Sequence, residues 1–381
     1  MKDYKRLGDY IREVNVRNRE LRVTNLLGLS IEKKFIPSIA NTIGTDMSAY
    51  KIVQPSQFAY VPVTSRNGEK ITVALYDGEE SAIISQAYTI FEIVDQDVLL
   101  PEYLMMWFRR PEFDRYARFH SHGSAREVFD WDELCNVQLP VPSIERQREI
   151  VAEYETLTRR IRLNEQMIAK LEETAQTLYR KMFVDGIDKE NLPEGWKLGK
   201  LGDFGDVVTG KTPSTLDENN FGNYMPFVTI PDMHNGFFVI KTERGLSKKG
   251  VALQANKTIP KNSVCVSCIG TSGLVVINPQ ECQTNQQINT IVPLNEYALE
   301  YIYLTCCGLE KIIAEYGMGA AVLNNLNKSE FENLRVIVPL DLEMQKFHEQ
   351  VSPVFSAIYL KQQENEKLTE LQSILLARMG K

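Results

Sequence analysis

The sequence predicts an α+β protein built from two homologous globular domains in a pseudo-twofold arrangement, joined by two long helices that form an antiparallel coiled coil. Three observations carry this. The chain matches itself at an offset near 197 residues. Each copy ends in a helix-like stretch whose apolar residues fall alternately three and four apart. Before that stretch, each copy consists of short β-like runs separated by turn dipeptides, with a helix-like segment near its end.

The repeat runs from end to end. RLGDYIREV (6–14) aligns with KLGDFGDVV (200–208), ISQAYTIFEI (84–93) with TNQQINTIVP (284–293), and PEYLMMWF (101–108) with LEYIYLTC (299–306). Gly123 falls near Gly319, and Phe129, Leu134 and Val137 land on Leu326, Phe331 and Leu334. VQLPVPSIERQREIV (137–151) then corresponds to LRVIVPLDLEMQKFHEQV (334–351), with Pro142 meeting Pro339 and Gln147 meeting Gln345. This order predicts a first domain over 1–149, a first helix over 150–184, a linker over 185–196, a second domain over 197–340 and a second helix over 341–381.

Within the domains, VPVTSRNGEKITVALYDGE (61–79) predicts hairpins at Asn67-Gly68 and Asp77-Gly78. Helices are expected over 101–119 and about 296–316. The first long helix carries Tyr154, Leu157, Ile161, Asn164, Ile168, Leu171, Ala175, Leu178 and Met182 as a heptad seam. The second carries Val351, Val354, Ile358, Lys361, Asn365, Leu368, Gln372, Leu375 and Met379 in the same register. A seam of roughly 34 residues spans about 50 Å, longer than one small domain, so pairing of the two helices is expected over each packing on its own domain. The polar members Asn164, Lys361, Asn365 and Gln372 cost stability and can fix register and partner. In the link VDGIDKENLPEGW (184–196), Gly186 and Pro193 stop the first helix.

Composition narrows the classes. The 381 residues have ample apolar content for two cores. No apolar run reaches the roughly 20 residues of a membrane span, and no leader is visible, so a cytoplasmic protein without a membrane partner is expected. The six cysteines lack the spacing of a disulfide scaffold and are expected to be reduced and buried. A net charge of −7 argues against a general nucleic-acid binder, yet the charge is uneven. Residues 241–261 hold Lys241, Arg244, Lys248, Lys249, Lys257 and Lys261 against Glu243 alone, and the first 34 residues hold nine bases against five acids.

Motifs that promise chemistry fail on context. GDVVTGKT (205–212) has the spacing of a phosphate-binding loop, but PSTLDENNFGNY does not continue it as an amphipathic helix, and the first copy lacks the glycines. Cys265-Val-Ser-Cys268 has no second metal-ligand pair, so no metal site is expected. No nucleophile with its base and no paired-carboxylate site is recognisable, which argues against an enzyme.

Polar loops suited to reading base edges remain. SRNGEK (65–70) offers Arg66, Asn67 and Lys70, and SHGSAR (121–126) offers His122, Ser124 and Arg126. In the second copy, GKTPST offers Lys211 and Thr212, DMHNG offers His234 and Asn235, the basic run offers Lys248 and Lys249, and GMGAAVLNN offers Asn324. Arg and Asn match guanine and adenine edges. The loops differ between copies while the helices keep register, which suggests two heads of different specificity on one scaffold. The competing reading is a pseudo-symmetric coiled-coil interaction scaffold without DNA readout.

In the order in which they occur, these motifs resemble the specificity subunits of type I restriction-modification enzymes. The resemblance rests on the LGDY and LGDF openings, LPEGWKLGKLGDF, GKTPST with YMPFVTIPDM, FAYVPVTSRNGEKITVALYDGE, and the helix starts PVPSIERQREIV and PLDLEMQKFHEQV. It implies a non-catalytic subunit with two target-recognition domains, each reading one half of a split, asymmetric site on double-stranded DNA. The coiled coil would set the spacer and dock two methylation subunits. It also implies no cofactor in this chain: S-adenosylmethionine would sit in the methylation subunits, and ATP and Mg2+ in two restriction subunits where these are present.

Overall fold

The computed structural model describes residues 4–38, 44–65, 70–123, 126–313 and 326–380. The chain divides into two compact units. The first comprises residues 1–159 with 368–381, and the second residues 160–367.

The first unit is built on a four-stranded antiparallel sheet in the order Ile11–Val14, Thr89–Ile93, Phe58–Tyr60, Val73–Leu75. Two smaller pairs accompany it, Leu27–Leu29 with Phe35–Pro37 and Lys51–Val53 with Ala82–Ile84. Phe58 stacks on Phe91 at 4.9 Å, and Phe108 meets both rings edge-on. The expected helix over 101–119 is two helices, Pro101–Phe108 and Pro111–Phe119. Pro111 forces Arg110 into extended backbone, which a helix cannot cross. The expected hairpin at Asp77-Gly78 is also not one: Val73–Leu75 pairs with Phe58–Tyr60, whereas Ala82–Ile84 pairs with Lys51–Val53. Gly78 instead lets the chain pass against the Tyr76 ring, whose hydroxyl donates to the Glu80 carbonyl at 2.7 Å.

The second unit has a sheet in the order Gly205–Thr209, Ile288–Pro293, Ser263–Val266 with Ser267, Val275–Asn278, and a smaller one in the order Arg244–Leu246, Phe221–Val228, Gln283–Thr284. The helix expected over about 296–316 opens as a 3-10 turn, Glu296–Ala298, and is α-helical over Leu299–Gly308.

Both units close in the same way. Tyr4–Arg6 pairs antiparallel with Gln138–Pro140, and Lys197–Lys200 pairs antiparallel with Arg335–Val338. The LGD motifs that follow are 3-10 turns whose leucines, Leu7 and Leu201, are fully buried. Their amides donate to Val137 at 2.8 Å and Leu334 at 2.9 Å. Gly8 is required here because a Cβ would lie 2.8 Å from that of Cys135. A buried tyrosine locks each ladder from behind: the Tyr103 hydroxyl donates to the Pro140 carbonyl at 3.1 Å, and that of Tyr301 to the Ile337 carbonyl at 2.6 Å.

From these ladders the chain turns at proline into the long helices, Ile144–Phe183 and Asp341–Met379. The first starts earlier than the apolar ladder suggests, because Ser143 directly after Pro142 caps it, its hydroxyl accepting from the Arg146 amide at 3.4 Å. Gln147 is fully buried and accepts from the Leu100 amide while donating to the Val98 and Pro142 carbonyls, all within 2.9 Å. Its repeat partner is not Gln345, which is exposed, but the buried Met344, as the two helix starts dictate. Unit two ties its helix differently, through His348 Nδ1 and Glu300 Oε2 at 2.7 Å.

Within the second unit, residues 160–183 run antiparallel to 341–367, as the Tyr179–Phe347 ring contact and the Asn164–Asn365 hydrogen bond of 2.8 Å show. Ala175, Phe183, Met344, Phe347, Val351, Phe355 and Ile358 enter the core of that unit, with Ile168, Leu171, Leu178 and Val354 packed against it. Within the first unit, Val151, Tyr154, Leu376 and Met379 enter the core, and Gln372 donates to the Thr158 hydroxyl at 2.7 Å. Leu157, Ile161, Leu368 and Leu375 are half-buried. The buried stripe of the second helix is wider than the expected seam, taking in Phe355, Gln362 and Leu376. A helix that faces both a partner helix and a domain core needs this broader apolar face.

Removing the three bonds of Gln147 leaves buried groups unpaired, so Gln147→Ala is expected to cost roughly 2–3 kcal/mol by urea denaturation. Burial raises the Glu300 carboxyl above its ordinary value, although His348 opposes the shift. A raised carboxyl contributes stability at low pH that is lost as pH rises through its folded value. Glu300→Gln should therefore melt higher than the parent at pH 8 and lose that advantage near pH 4; an unchanged difference across this range would exclude the titration of Glu300 as its source.

Candidate nucleic-acid interface

In the first unit the described ends of the two expected reading loops lie side by side. Val128 bridges to both Val63 and His122, the Thr64 amide donates to the Glu127 carbonyl at 3.0 Å, and the Thr64 and Ser121 hydroxyls are 3.0 Å apart. Gly123 has φ +135°, and a Cβ there would lie 2.1 Å from the Arg126 carbonyl oxygen, so this turn needs glycine. The turn between Leu27–Leu29 and Phe35–Pro37 joins the group. Asp114 Oδ1 accepts both from Lys33 Nζ at 2.7 Å and from the Ile71 amide at 3.1 Å. Burial pushes the Lys33 ammonium below its ordinary value against the pull of Asp114, which marks it as an internal tie.

The side chains on these loops are not equivalent. Lys70 is paired with Glu32 at 3.0 Å. His122 is exposed and lies 3.9 Å from Glu133, whose other oxygen is 3.0 Å from His120. Arg126 is exposed, and its guanidinium meets no acceptor among the described residues. Phe119, at the end of its helix beside these loops, is 81% exposed. Arg66, Asn67 and Ser124 lie outside the described residues.

In the second unit GDVVTGKT is not a phosphate cradle. Residues 205–209 are a strand, and the next helical element is only the 3-10 turn Glu218–Asn220. The amides that would meet a phosphate are used within the protein, Gly210 donating to Ile288 at 3.1 Å and Lys211 to Thr284 at 2.9 Å. Gly210 is glycine because a Cβ would fall 2.2 Å from the Asn285 carbonyl oxygen. The Lys211 side chain is exposed, and Thr212 donates to Gln286 at 2.6 Å.

His234 is exposed on the 3-10 turn Ile230–Asn235; the side chain of Asn235, like the whole of Asn324, lies outside what the structure describes. The segment after that turn is fastened to the second long helix: Gln362 accepts from the Phe238 amide at 3.1 Å, and Lys241 pairs with Glu366 at 3.0 Å. Lys249 pairs with Asp217 at 2.6 Å, whereas Lys248 Nζ lies 5.4 Å from the centre of the Tyr224 ring.

The neighbourhood of Lys248 also holds residues that the loop motifs alone did not single out. Arg244 lies with its guanidinium 4.2 Å from the Phe221 ring centre, Tyr224 is 58% exposed, and Leu216 is 96% exposed. Cations interleaved with exposed aromatic rings suit a nucleic-acid surface. The sequence signal for this was Gly222 and Pro226 inside an otherwise β-like run, the mark of a bulge.

Cys265, in the strand Ser263–Ser267, and Cys268, just after it, are buried, and burial pushes both thiols up to about 11. Among the described residues no three His, Cys, Asp or Glu side chains gather as a metal site, and no helix is long and apolar enough to cross a membrane.

Each of the two α+β units closes on itself, displays polar loops that differ from those of the other, and is tied to long helices; known proteins of the same build are similar to this chain. Residues 193–370 match the family described as the Type I restriction modification DNA specificity domain. The whole chain is 26% identical to the Type I restriction enzyme HindI specificity subunit of Haemophilus influenzae, covering 100% of this chain and 99% of that one. It is 24% identical to the Type I restriction enzyme MjaIX specificity subunit of Methanocaldococcus jannaschii, over 75% of this chain and 70% of the relative. Its fold is that of the crystal structure of a type I restriction-modification system S subunit from M. genitalium, with a TM-score of 0.61 at 14% identity, covering 100% and 96% of the two chains. The chain is thus similar along its whole length to a type I restriction enzyme specificity subunit, and its second half to the type I DNA specificity domain.

With the amides of Gly210 and Lys211 already committed, neither the parent nor Lys211→Ala should bind ATP measurably by calorimetry. Saturable binding abolished by Lys211→Ala would restore the phosphate-loop reading.

Proposed function

We propose that this chain is the DNA sequence-recognition subunit of a type I restriction-modification complex, each globular domain reading one half of a split, asymmetric site on double-stranded DNA. The observation that carries the reading is the whole-length homology to specificity subunits together with the internal repeat: one closing ladder used twice, under loops that differ. The closing ladders and buried tyrosines hold each domain rigid, while the loops they support are free to diverge.

In this reading the long helices set the number of unspecified base pairs between the half-sites. They also dock two methylation subunits, which would carry S-adenosylmethionine and extrude the target adenine. Where restriction accompanies methylation, two restriction subunits would bring ATP and Mg2+. The residues of this chain bind and orient the duplex and perform no bond-breaking step. In this reading the exposed Arg126, His122, Lys248 and Lys211 meet DNA, together with Arg66, Asn67, Ser124 and Asn324 of the same loops.

The test is single-molecule mapping of adenine methylation in cells expressing this chain with its methylation subunits, beside cells lacking this chain. A split motif that depends on the chain supports the reading; absence of any motif with a folded, cofactor-binding partner favours an interaction scaffold. Exchanging residues 1–149 for the same domain of a relative should change one half-site only. Adding one heptad to both helices lengthens each by about 10.5 Å, so the unspecified stretch should grow by at most about three base pairs, with both half-sites kept. An unchanged spacer would remove the ruler role.

A further inference from the structure

We propose that Arg244 is a specificity-determining residue of the second unit that reads the major-groove edge of one guanine, with Phe221 as the platform holding it in place. The proposal deepens the DNA-recognition reading above and rests on it.

The local backbone is built for display. In the pairing of Phe221–Val228 with Arg244–Leu246, Leu246 faces both Phe221 and Met225, so residues 222–224 leave the ladder as a bulge. Two glycines permit this: a Cβ on Gly245 would lie 2.4 Å from the Gly222 carbonyl oxygen. A bulge re-aims side chains that a regular strand would direct to alternate faces. Here it exposes Asn223 and Tyr224 and sets the Phe221 ring against the Arg244 guanidinium at 4.2 Å.

The charge of Arg244 is not spent on an internal ion pair, unlike that of several other arginines. Arg12, Arg146 and Arg160 each meet a carboxylate within 2.8 Å. Among the described residues the Arg244 guanidinium has no ion pair and no hydrogen-bond acceptor, and the Phe221 ring lies 4.2 Å from it. A guanidinium stacked on an aromatic ring loses part of its rotamer freedom before binding, yet keeps its N–H fork for an acceptor pair. Guanine presents such a pair, O6 and N7, in the major groove. Lys248, over the Tyr224 ring, lies beside the bulge where backbone phosphates would pass.

The experiment uses the full chain co-expressed with its methylation subunits and reads the methylated motif by single-molecule sequencing. If the parent chain directs no motif, the recognition reading itself fails. If it does, Arg244→Ala should relax one guanine position in one half-site, lowering discrimination there about 5- to 150-fold, with the other half-site unchanged. Arg244→Lys, which keeps the charge but cannot bind bidentately, should relax the same position, and Phe221→Leu should do so partially. Co-purification with the methylation subunits and an unchanged melting temperature control for folding; if the alanine variant does not fold, Arg244→Lys decides. A uniform loss of methylation with the motif intact would make Arg244 a phosphate contact and overturn the proposal, as would an unchanged motif in both Arg244 variants.

Discussion

The rest of each domain depends on one constraint: its first and last strands must pair with each other before the chain can leave as a helix. Tyr4–Arg6 against Gln138–Pro140, and Lys197–Lys200 against Arg335–Val338, bring the ends of each globular segment together. Buried Leu7 and Leu201 cover the ladders, and the hydroxyls of Tyr103 and Tyr301 bond to their closing strands. Closing a long loop costs entropy that grows only slowly with length, so two strands and a buried tyrosine can secure a segment of this size. The proline after each ladder cannot extend it as a donor, and the chain turns into the helix there. The polar loops therefore hang from a frame whose exit direction is fixed.

The helices show a second balance, between burial and selectivity. Asn164 is fully buried, and its side-chain amide donates to Asn365, but its own oxygen has no partner among the described residues. An apolar pair would pack with less cost, yet it would accept several registers; a buried polar pair accepts few. Nearby, Arg160 and Lys361 both bind Glu364 and hold its carboxyl down at about 2, so this surface triad also prefers one alignment. Gln362 reaches from the same helix to the Phe238 amide, so helix register and the position of the 230–241 segment are linked within the second unit.

The repeat and the two long helices were legible in the sequence because each is written twice and the helices obey a simple period; the closing ladders were not read, because pairing between strands more than a hundred residues apart leaves no local mark. What failed did so for local reasons. Periodicity carries the apolar pattern straight through Pro111, although the extended backbone at Arg110 ends the helix. Asp77-Gly78 has hairpin chemistry, yet strand partners are chosen by long-range pairing, and Tyr76 uses the glycine instead. Gln147 aligns by name with Gln345, but burial follows helix register and selects Met344. Arg244 stood in a basic run as one cation of several. Only the irregular ladder, in which Leu246 faces two residues, and the Phe221 ring 4.2 Å from its guanidinium set it apart from its neighbours in the run.

The acidic balance of the chain bears on how such a protein could read DNA at all. Many of its cations are already neutralised: Lys33 by Asp114, Lys70 by Glu32, Lys249 by Asp217 and Arg160 by Glu364. Non-specific affinity scales with the number of phosphates that a protein neutralises. A chain with net charge −7, some of whose cations are already paired, should grip arbitrary duplex weakly. Discrimination needs only a few well-held donors at base edges, each of which loses its partner at a wrong base. In the proposed complex the backbone affinity can come from the methylation subunits, and this chain contributes the difference between sites. That division favours cations fixed by rings or turns over long mobile lysines, and a guanidinium stacked on Phe221 is the kind of reader it requires.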